Sequence, residues 1–325
     1  MNPGLATAID QAIAAAVRAP SPFNTQPWRF IVDGAQVDVL LDRDRVLTVA
    51  DPDAREARLS CGAAVFNLYL ALRDNGHSAR VTLLPDRARP DLLARVRVGG
   101  PREATSTERA LAEAVPRRHT NRRPFLDRPV PVAARTALEA AARQSDARLE
   151  LVDASGRYDA IAGLIRRAEH IQATDERFQA EAEHWTGRAA GHTDGVLASA
   201  AGPPAEPEGA VPLRYIRGSE ALPPRPYEQQ PLLAALLTRG RSDRYDVQAG
   251  VALQHVLLSA TSRGLSASFL SQPLEVPATR AALAELFRDE GEIHTLLRIG
   301  YGHPSAGVPR RPLGEIVAVN REQHA

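Results

Sequence analysis

The sequence contains no lysine, so all 40 of its lysine-plus-arginine positions are arginine. Alanine, proline and glycine are also abundant, the composition expected of a GC-rich coding sequence. The absence has a chemical consequence. With no primary side-chain amine, Schiff-base catalysis and a P-loop lysine are excluded. Cysteine is nearly absent as well. A single residue, Cys61, rules out an intramolecular disulfide framework and any multi-cysteine metal site, and it reads as a small buried hydrophobe in a reducing cytoplasm. Nine histidines occur without metal-ligand spacing, and His184 with His192 forms no zinc pattern, so no metal is expected. Charge of one sign is lacking too. The 40 basic residues face 39 acidic ones, a formal net charge of +1, which gives no basic excess for nucleic acid or an anionic bilayer. No apolar run approaches the roughly 18 residues of a membrane span. The stretch MNPGLATAIDQAIAAAVRAPS has no basic leader and is interrupted by Asp10 and Gln11, while Ile9, Ile13 and Val17 recur at helical spacing. The expectation is a soluble, cytoplasmic protein that meets small molecules.

What is present is an internal repeat. The 325 residues suit one large domain or two ordinary ones. GAAVFNLYLALRDNGHSA, from Gly62, aligns without gaps on GVALQHVLLSATSRGLSA, from Gly250, an offset of 250 − 62 = 188. Gly62, Ala64, Gly76, Ser78, Ala79 and Pro85 fall on Gly250, Ala252, Gly264, Ser266, Ala267 and Pro273. Each copy reads as a helix apolar nearly all round, stopped by glycine, and each later closes with a strand, RVRVG at 95–99 and LLRIG at 296–300. The halves divide as 1–112 and 113–325. The first has the loop APSPFNTQPW and a hairpin about Asp33-Gly34; the second opens near RRHTNRRPF, continues into a helix with prolines at its start, and has LELVD where the first has FIVD. Only the second carries an insertion between Ser155 and Gln248. It is helical over about 158–185, and its proline-rich part, about 186–231, is expected to form a covering loop.

APSPFNTQPW resembles the APS-x-x-N-x-QPW loop of the flavin-dependent nitroreductase superfamily, with Ala19, Pro20, Ser21, Asn24, Gln26, Pro27 and Trp28 all in place. RRHTNRRPF is similar to that superfamily's arginine-rich phosphate segment, although it lies in mid-chain and is longer, which leaves its register open by one residue. With SCGAAVFNLYLAL, DGVLASAA, AGVALQHVLLSA, SQPLEVP and PRRP, the resemblance runs from about Ala6 to Val317 and is to the Acg-type actinobacterial branch.

The resemblance implies an α+β nitroreductase-like fold in which the two degenerate repeats form an intramolecular pseudo-dimer. In the superfamily, FMN sits at a subunit interface between the arginine segment and the APS loop. Here each survives in only one half, which implies one FMN per chain, a dead twin site and a monomer. By the same resemblance, Pro20, Ser21, Asn24 and Gln26 belong to the flavin site. Arg118 with Arg310 or Arg311 would hold the phosphate, and His119, Thr120 and Asn121 the ribityl chain or pyrimidine edge. Arg123 would lie near N1 and the C2 carbonyl, and Leu270, Ser271 and Gln272 would form the loop facing N5. Arg117 and Arg122 read as solvated surface, and Trp28 as core. The implied activity is two-electron oxidoreduction with NADPH or NADH as donor and no assigned catalytic side chain. The alternatives are FMN storage beneath a lid, or a flavin dehydrogenase acting on a biosynthetic intermediate.

Overall fold

A computed structural model of the chain describes residues 3–153, 155–200, 211, 230–302 and 307–319. In chain order its elements are α1 (Pro3–Ala16), β1 (Trp28–Asp33), β2 (Gln36–Leu41), α2 (Arg55–Asp74), β3 (His77–Leu83), β4 (Leu92–Pro101), α3 (Ser106–Ala114), α4 (Val132–Gln144), β5 (Arg148–Val152), α5 (Gly156–Thr174), α6 (Glu176–Trp185), β6 (Leu232–Thr238), α7 (Asp243–Ser262), β7 (Ser266–Phe269), α8 (Gln272–Glu275), α9 (Pro277–Leu286), β8 (Glu292–Gly300), α10 (Leu313–Ile316) and β9 (Val317–Val319). This is an α+β arrangement of two sheets, ordered β3-β4-β2-β1-β9 and β5-β6-β8-β7. All pairings are antiparallel except β1 with β9. Most of the proline-rich part of the insertion lies outside the described residues.

The repeated segments are α2 and α7. They pack against each other at the centre, and the reason they can approach is the absence of a side chain at the crossing. A Cβ added to Gly62 would enter the Val247 carbonyl oxygen and lie 2.9 Å from the Gly250 Cα. One added to Gly250 would enter the carbonyl oxygen of Leu59. Either side of the crossing the contacts are reciprocal. Arg58 donates to Asp246 at 2.8–2.9 Å, two positions 188 residues apart. Phe66 stacks on His255 with ring centroids 4.9 Å apart, and Gln254 donates to the Asn67 amide oxygen at 2.7 Å. Burial pushes the His255 imidazole down to about 4, so it sits neutral in this core.

α2 packs with α1 on the first sheet, and α7 with α4 on the second. The sequence pattern does not mark β6. All seven residues of LLAALLT are buried, with Leu232, Ala234 and Leu236 facing α4 and α7 while Leu233, Ala235 and Leu237 enter a second core with α5 and α9. A strand covered on both faces has no alternation to read. The tail also exceeds the sequence reading. After 307–312 it forms α10 and then β9, which joins the first sheet beside β1, Phe30 opposite Val317. The segment 317–319 thus supplies an edge strand to the sheet of β1–β4.

Candidate functional site

Between α1 and β1 the chain makes a loop whose shape ordinary side chains resist. Phe23, Asn24 and Gln26 have φ of 46°, 58° and 54°. Asparagine tolerates this left-handed region, but phenylalanine and glutamine do so at a cost. Strained backbone persists where its surroundings over-determine it. Here Ser21 Oγ accepts the Gln26 N–H at 3.0 Å, and Asn24 Nδ2 donates to the carbonyls of Gly195 and Pro309. Gln26, fully buried, donates to Thr193 O at 2.8 Å and accepts the Arg311 N–H at 2.9 Å. The insertion grips the adjoining turns as well: Arg45 bridges Thr25 O and Asp194, and Glu181 accepts the N–H groups of Val49 and Ala50. The loop is therefore a rigid platform held jointly by the insertion and the tail.

Across from it, the segment 118–123 lies along the edge of β7, with a bridge from Thr120 to Ala267 and the Asn121 N–H on Ala267 O. Buried Arg298 secures it from beneath, donating to the carbonyls of Asn121 and Arg123 while its guanidinium stacks 3.9 Å from the Phe125 ring. Loop and segment flank a cleft of two adjoining chambers whose linings share Pro20, Ser21, Thr120 and Arg122.

The outer chamber is cationic. Arg18, Arg118, Arg122 and Arg310 line it together with Asn24, His119 and Val308. Arg118 is only 8% exposed, and its Nε has no hydrogen-bond partner. Burial, then the charges of Arg122 and Arg18, push its guanidinium down to about 10. Arg310 is pushed down to about 9, by burial first and then by Arg118, Arg18 and Arg122. Arginines that depress one another around an orphaned donor form a seat for an anion. The inner chamber has an apolar wall of Pro20, Pro22, Phe23, Leu59, Leu253 and Phe269, with polar groups from Glu56, Ser60, Ser268, Ser271, Gln272, Glu275 and Thr295. α2 delivers Glu56, Leu59 and Ser60 from its first turns, which Asp51 caps by accepting the N–H groups of Glu56 and Ala57. Gln272 is 1% exposed and its Nε2 has no partner. A ligand with an anionic end and a flat apolar body would satisfy both chambers.

Of the residues expected from sequence, Pro20, Ser21, Asn24, Arg118, His119, Thr120, Ser271, Gln272 and Arg310 line the cleft. Five do not. Gln26 is a clamp for the loop; Asn121 is buried against β7 with its amide toward Ser266. The Leu270 N–H is spent on Leu296 O at 3.0 Å. Arg311 pairs with Asp42 and Glu315, which leaves Arg310 as the tail's contribution to the anion seat. Arg123 gives its main chain to Asn121 and Arg298 and stays outside the cleft, whereas Arg122, read from sequence as surface, stands at the junction of the chambers. Arg18, Glu56, Ser60 and Glu275 also escaped sequence reading. Arg18 looks like an ordinary cation after a helix, and the others become neighbours only through tertiary packing.

Among the described residues no helix is long and apolar enough to cross a membrane, and no three histidine, cysteine or acidic side chains gather as metal ligands. No protein-family model matches the chain. It is 35% identical over 320 residues to "Putative NAD(P)H nitroreductase Rv3131" of Mycobacterium tuberculosis, covering 96% of this chain and 91% of that one. With "Putative NAD(P)H nitroreductase acg" of the same organism it shares 29% over 323 residues, 97% of each. Solved structures similar to it include a nitroreductase with bound FMN from Desulfitobacterium hafniense (13% identity, 66% of this chain and 98% of that one, TM-score 0.39) and one from Bacteroides fragilis (14%, 62% and 93%, TM-score 0.36).

Proposed function

The chain belongs to the NAD(P)H nitroreductase family, and from that premise we propose that it is an FMN-dependent oxidoreductase with one FMN in the cleft between its halves. The observation that carries the reading is the orphaned, buried Nε of Arg118 within a group of four arginines, beside an apolar chamber whose lining shares Pro20, Ser21, Thr120 and Arg122 with theirs. Those residues fit the group. A phosphate dianion matches the outer chamber, where Arg18, Arg118, Arg122 and Arg310 would hold it by charge-assisted hydrogen bonds. The planar ring system matches the inner chamber, where Gln272 Nε2 would donate to an acceptor on its edge.

When bound, FMN supplies hydride transfer at its isoalloxazine ring. The chain's own contribution is binding and orientation. Pro20, Leu59, Leu253 and Phe269 exclude water, and the strained loop 20–26 fixes one wall of the chamber. Arg122, at the chamber junction, replaces Arg123 as the cation assigned to the flavin's polar edge. No side chain is assigned a proton-transfer role.

The single site follows from the asymmetry of the halves. The reciprocal crossing of α2 and α7, including an ion pair between positions 188 apart, supports two degenerate copies of one unit folded as an intramolecular pseudo-dimer, 1–112 and 113–325. The loop at 20–26 has no equivalent after α4, so among the described residues one cleft keeps both walls.

Anaerobic mixing of flavin-loaded protein with NADPH and with NADH tests the enzymatic reading. Bleaching of the flavin absorbance within seconds is the expected result. Reduction by dithionite but by neither nicotinamide would exclude the NAD(P)H-linked activity and favour FMN storage, while in a separate aerobic assay oxidation of an added metabolite, with oxygen reduced to peroxide, would mark a flavin dehydrogenase.

A further inference from the structure

We propose that the chain carries a second ligand site, one that takes a small aromatic carboxylate, in a cavity that shares no lining residue with the flavin cleft. Its apolar chamber, about 460 Å³ in volume, lies among α7, α2, β3 and the turn after α4. The repeat accounts for its position. Val65, Val81, Leu83, Arg244 and Gln248 line it, and each stands 188 positions from a residue that lines the inner chamber of the flavin cleft, namely Leu253, Phe269, Ser271, Glu56 and Ser60 in that order. The short turn of Gln144, Ser145 and Asp146 stands after α4 as the loop of the flavin cleft stands after α1. The correspondence comes from the repeat alone and holds whether or not flavin binds.

The corresponding positions carry different chemistry. Where the flavin cleft has the Glu56 carboxylate, this cavity has the Arg244 guanidinium, and where the cleft has the Ser271 hydroxyl, it has Leu83. Phe66, Tyr69 and Val251 extend the apolar wall, the two rings tilted by 32° with centroids 6.4 Å apart. Asp146, Arg244 and Gln248 also line an adjoining chamber of about 500 Å³, where Arg143, Arg148 and Arg239 join Arg244. There Arg148 pairs with Glu150 and Arg143 lies 3.9 Å from Glu139, while the carboxylate of Glu290 is engaged by Arg157 at 2.7 Å. Among the described residues neither Arg239 nor Arg244 pairs with a carboxylate. Arg244 donates instead to Leu83 O at 3.1 Å, which holds its guanidinium beside the apolar chamber and leaves most of its N–H donors available. Those donors match a planar carboxylate, and the adjoining volume matches a flat apolar body. FMN does not fit the same cavity. The turn after α4 lacks the strained platform of 20–26, and the described lining has no counterpart of the segment 118–123.

Equilibrium dialysis of the flavin-loaded protein at pH 7 against naphthoate and against naphthylmethylammonium tests this directly. Naphthoate should bind once per chain without shifting the flavin absorbance, and at least about tenfold more tightly than the cation, as expected for an opposite charge a few ångströms away at intermediate dielectric. Arg244→Gln should remove most of that preference at unchanged flavin content, and Arg244→Lys should keep it. Should Arg244→Gln fail to fold because the Leu83 contact is lost, Thr82→Trp supplies a second comparison: Thr82 is an exposed lining position of β3, and an indole there would fill the chamber and exclude naphthoate. No binding of naphthoate, a cation bound as tightly, or an affinity untouched in both Arg244→Gln and Thr82→Trp would overturn the proposal. Failure of the flavin reading has a separate signature, a protein that takes up no FMN. The same dialysis on flavin-free protein would then decide the point, because both variants report on this cavity and not on the cleft.

Discussion

Replacing Arg118 by glutamine should make the empty protein more stable while weakening its hold on FMN. Burial and its arginine neighbours depress the guanidinium well below its ordinary value, to about 10. Below about pH 10 the group is charged in the folded and unfolded chain alike. That depression corresponds to a penalty on the folded state of about 3 kcal/mol, at about 1.4 kcal/mol per pH unit. For a base whose folded value is lowered, the penalty is present throughout the neutral range and is relieved only as pH rises above about 10 toward the ordinary arginine value. Arg118 is the informative member of the group, because it returns only one hydrogen bond to the protein, to Arg18 O at 3.1 Å. Arg310 donates to the carbonyls of Val17, Arg18, Ala19, Val308 and Pro309, so its removal would also break a tie between tail and loop. After allowing about 1 kcal/mol for the lost hydrogen bond, Arg118→Gln should stabilise the apoprotein by about 1–2 kcal/mol. Urea unfolding at pH 7, with and without saturating FMN, measures both sides. The parent should gain more from FMN than the variant, because the ligand removes the repulsion as it binds. A variant less stable than the parent when flavin-free, or one stabilised equally by FMN, would refute the argument.

Other outcomes follow from the same geometry. Arg122→Ala should weaken FMN affinity roughly 10- to 100-fold, the worth of one or two charge-assisted hydrogen bonds, while Arg123→Ala should change it less than threefold, measured by fluorescence titration of the released flavin. Gly62→Ala should destabilise the fold by more than about 3 kcal/mol, since its methyl group meets backbone rather than a movable side chain; unfolding titrations read this directly. Quantitative flavin release should return one FMN per chain, and two equivalents would overturn the single-cleft assignment.

The internal repeat, the loop after α1 and the arginine segment were all legible in the sequence because each rests on local residue chemistry, while the strain in that loop was not. The two helices apolar nearly all round announced a packed centre, and Pro20, Ser21 and Asn24 marked the loop, whereas the close crossing at Gly62 and Gly250 became visible only in the fold. What escaped depended on which side chains meet after folding. β6 gives no alternation because both its faces are covered, and β9 is three residues long and exists only beside β1. Arg122 and Arg123 are indistinguishable as neighbours in sequence, and only the seating of 120–121 against β7 turns one into the cleft and the other away. Glu56 and Glu275 lie more than two hundred residues apart and become partners in one wall through the packing of α2, α7 and β7.

The tail that lies beside β1 also sets an order of events in biosynthesis. Phe30 pairs with Val317, and the loop after α1 takes the carbonyl of Pro309 and the N–H of Arg311 to complete its clamp. Domains generally fold from the N-terminus as they are made, yet here the first platform of the cleft must wait for residues synthesised almost three hundred positions later. A nascent chain that has built both central helices still lacks Arg310 and the strand that anchors it. Such a chain has a partial anion seat and an open sheet edge, so cofactor capture must wait until 307–319 has been made, and a ribosome stalled before that stretch would leave a flavin-free species exposed to quality control.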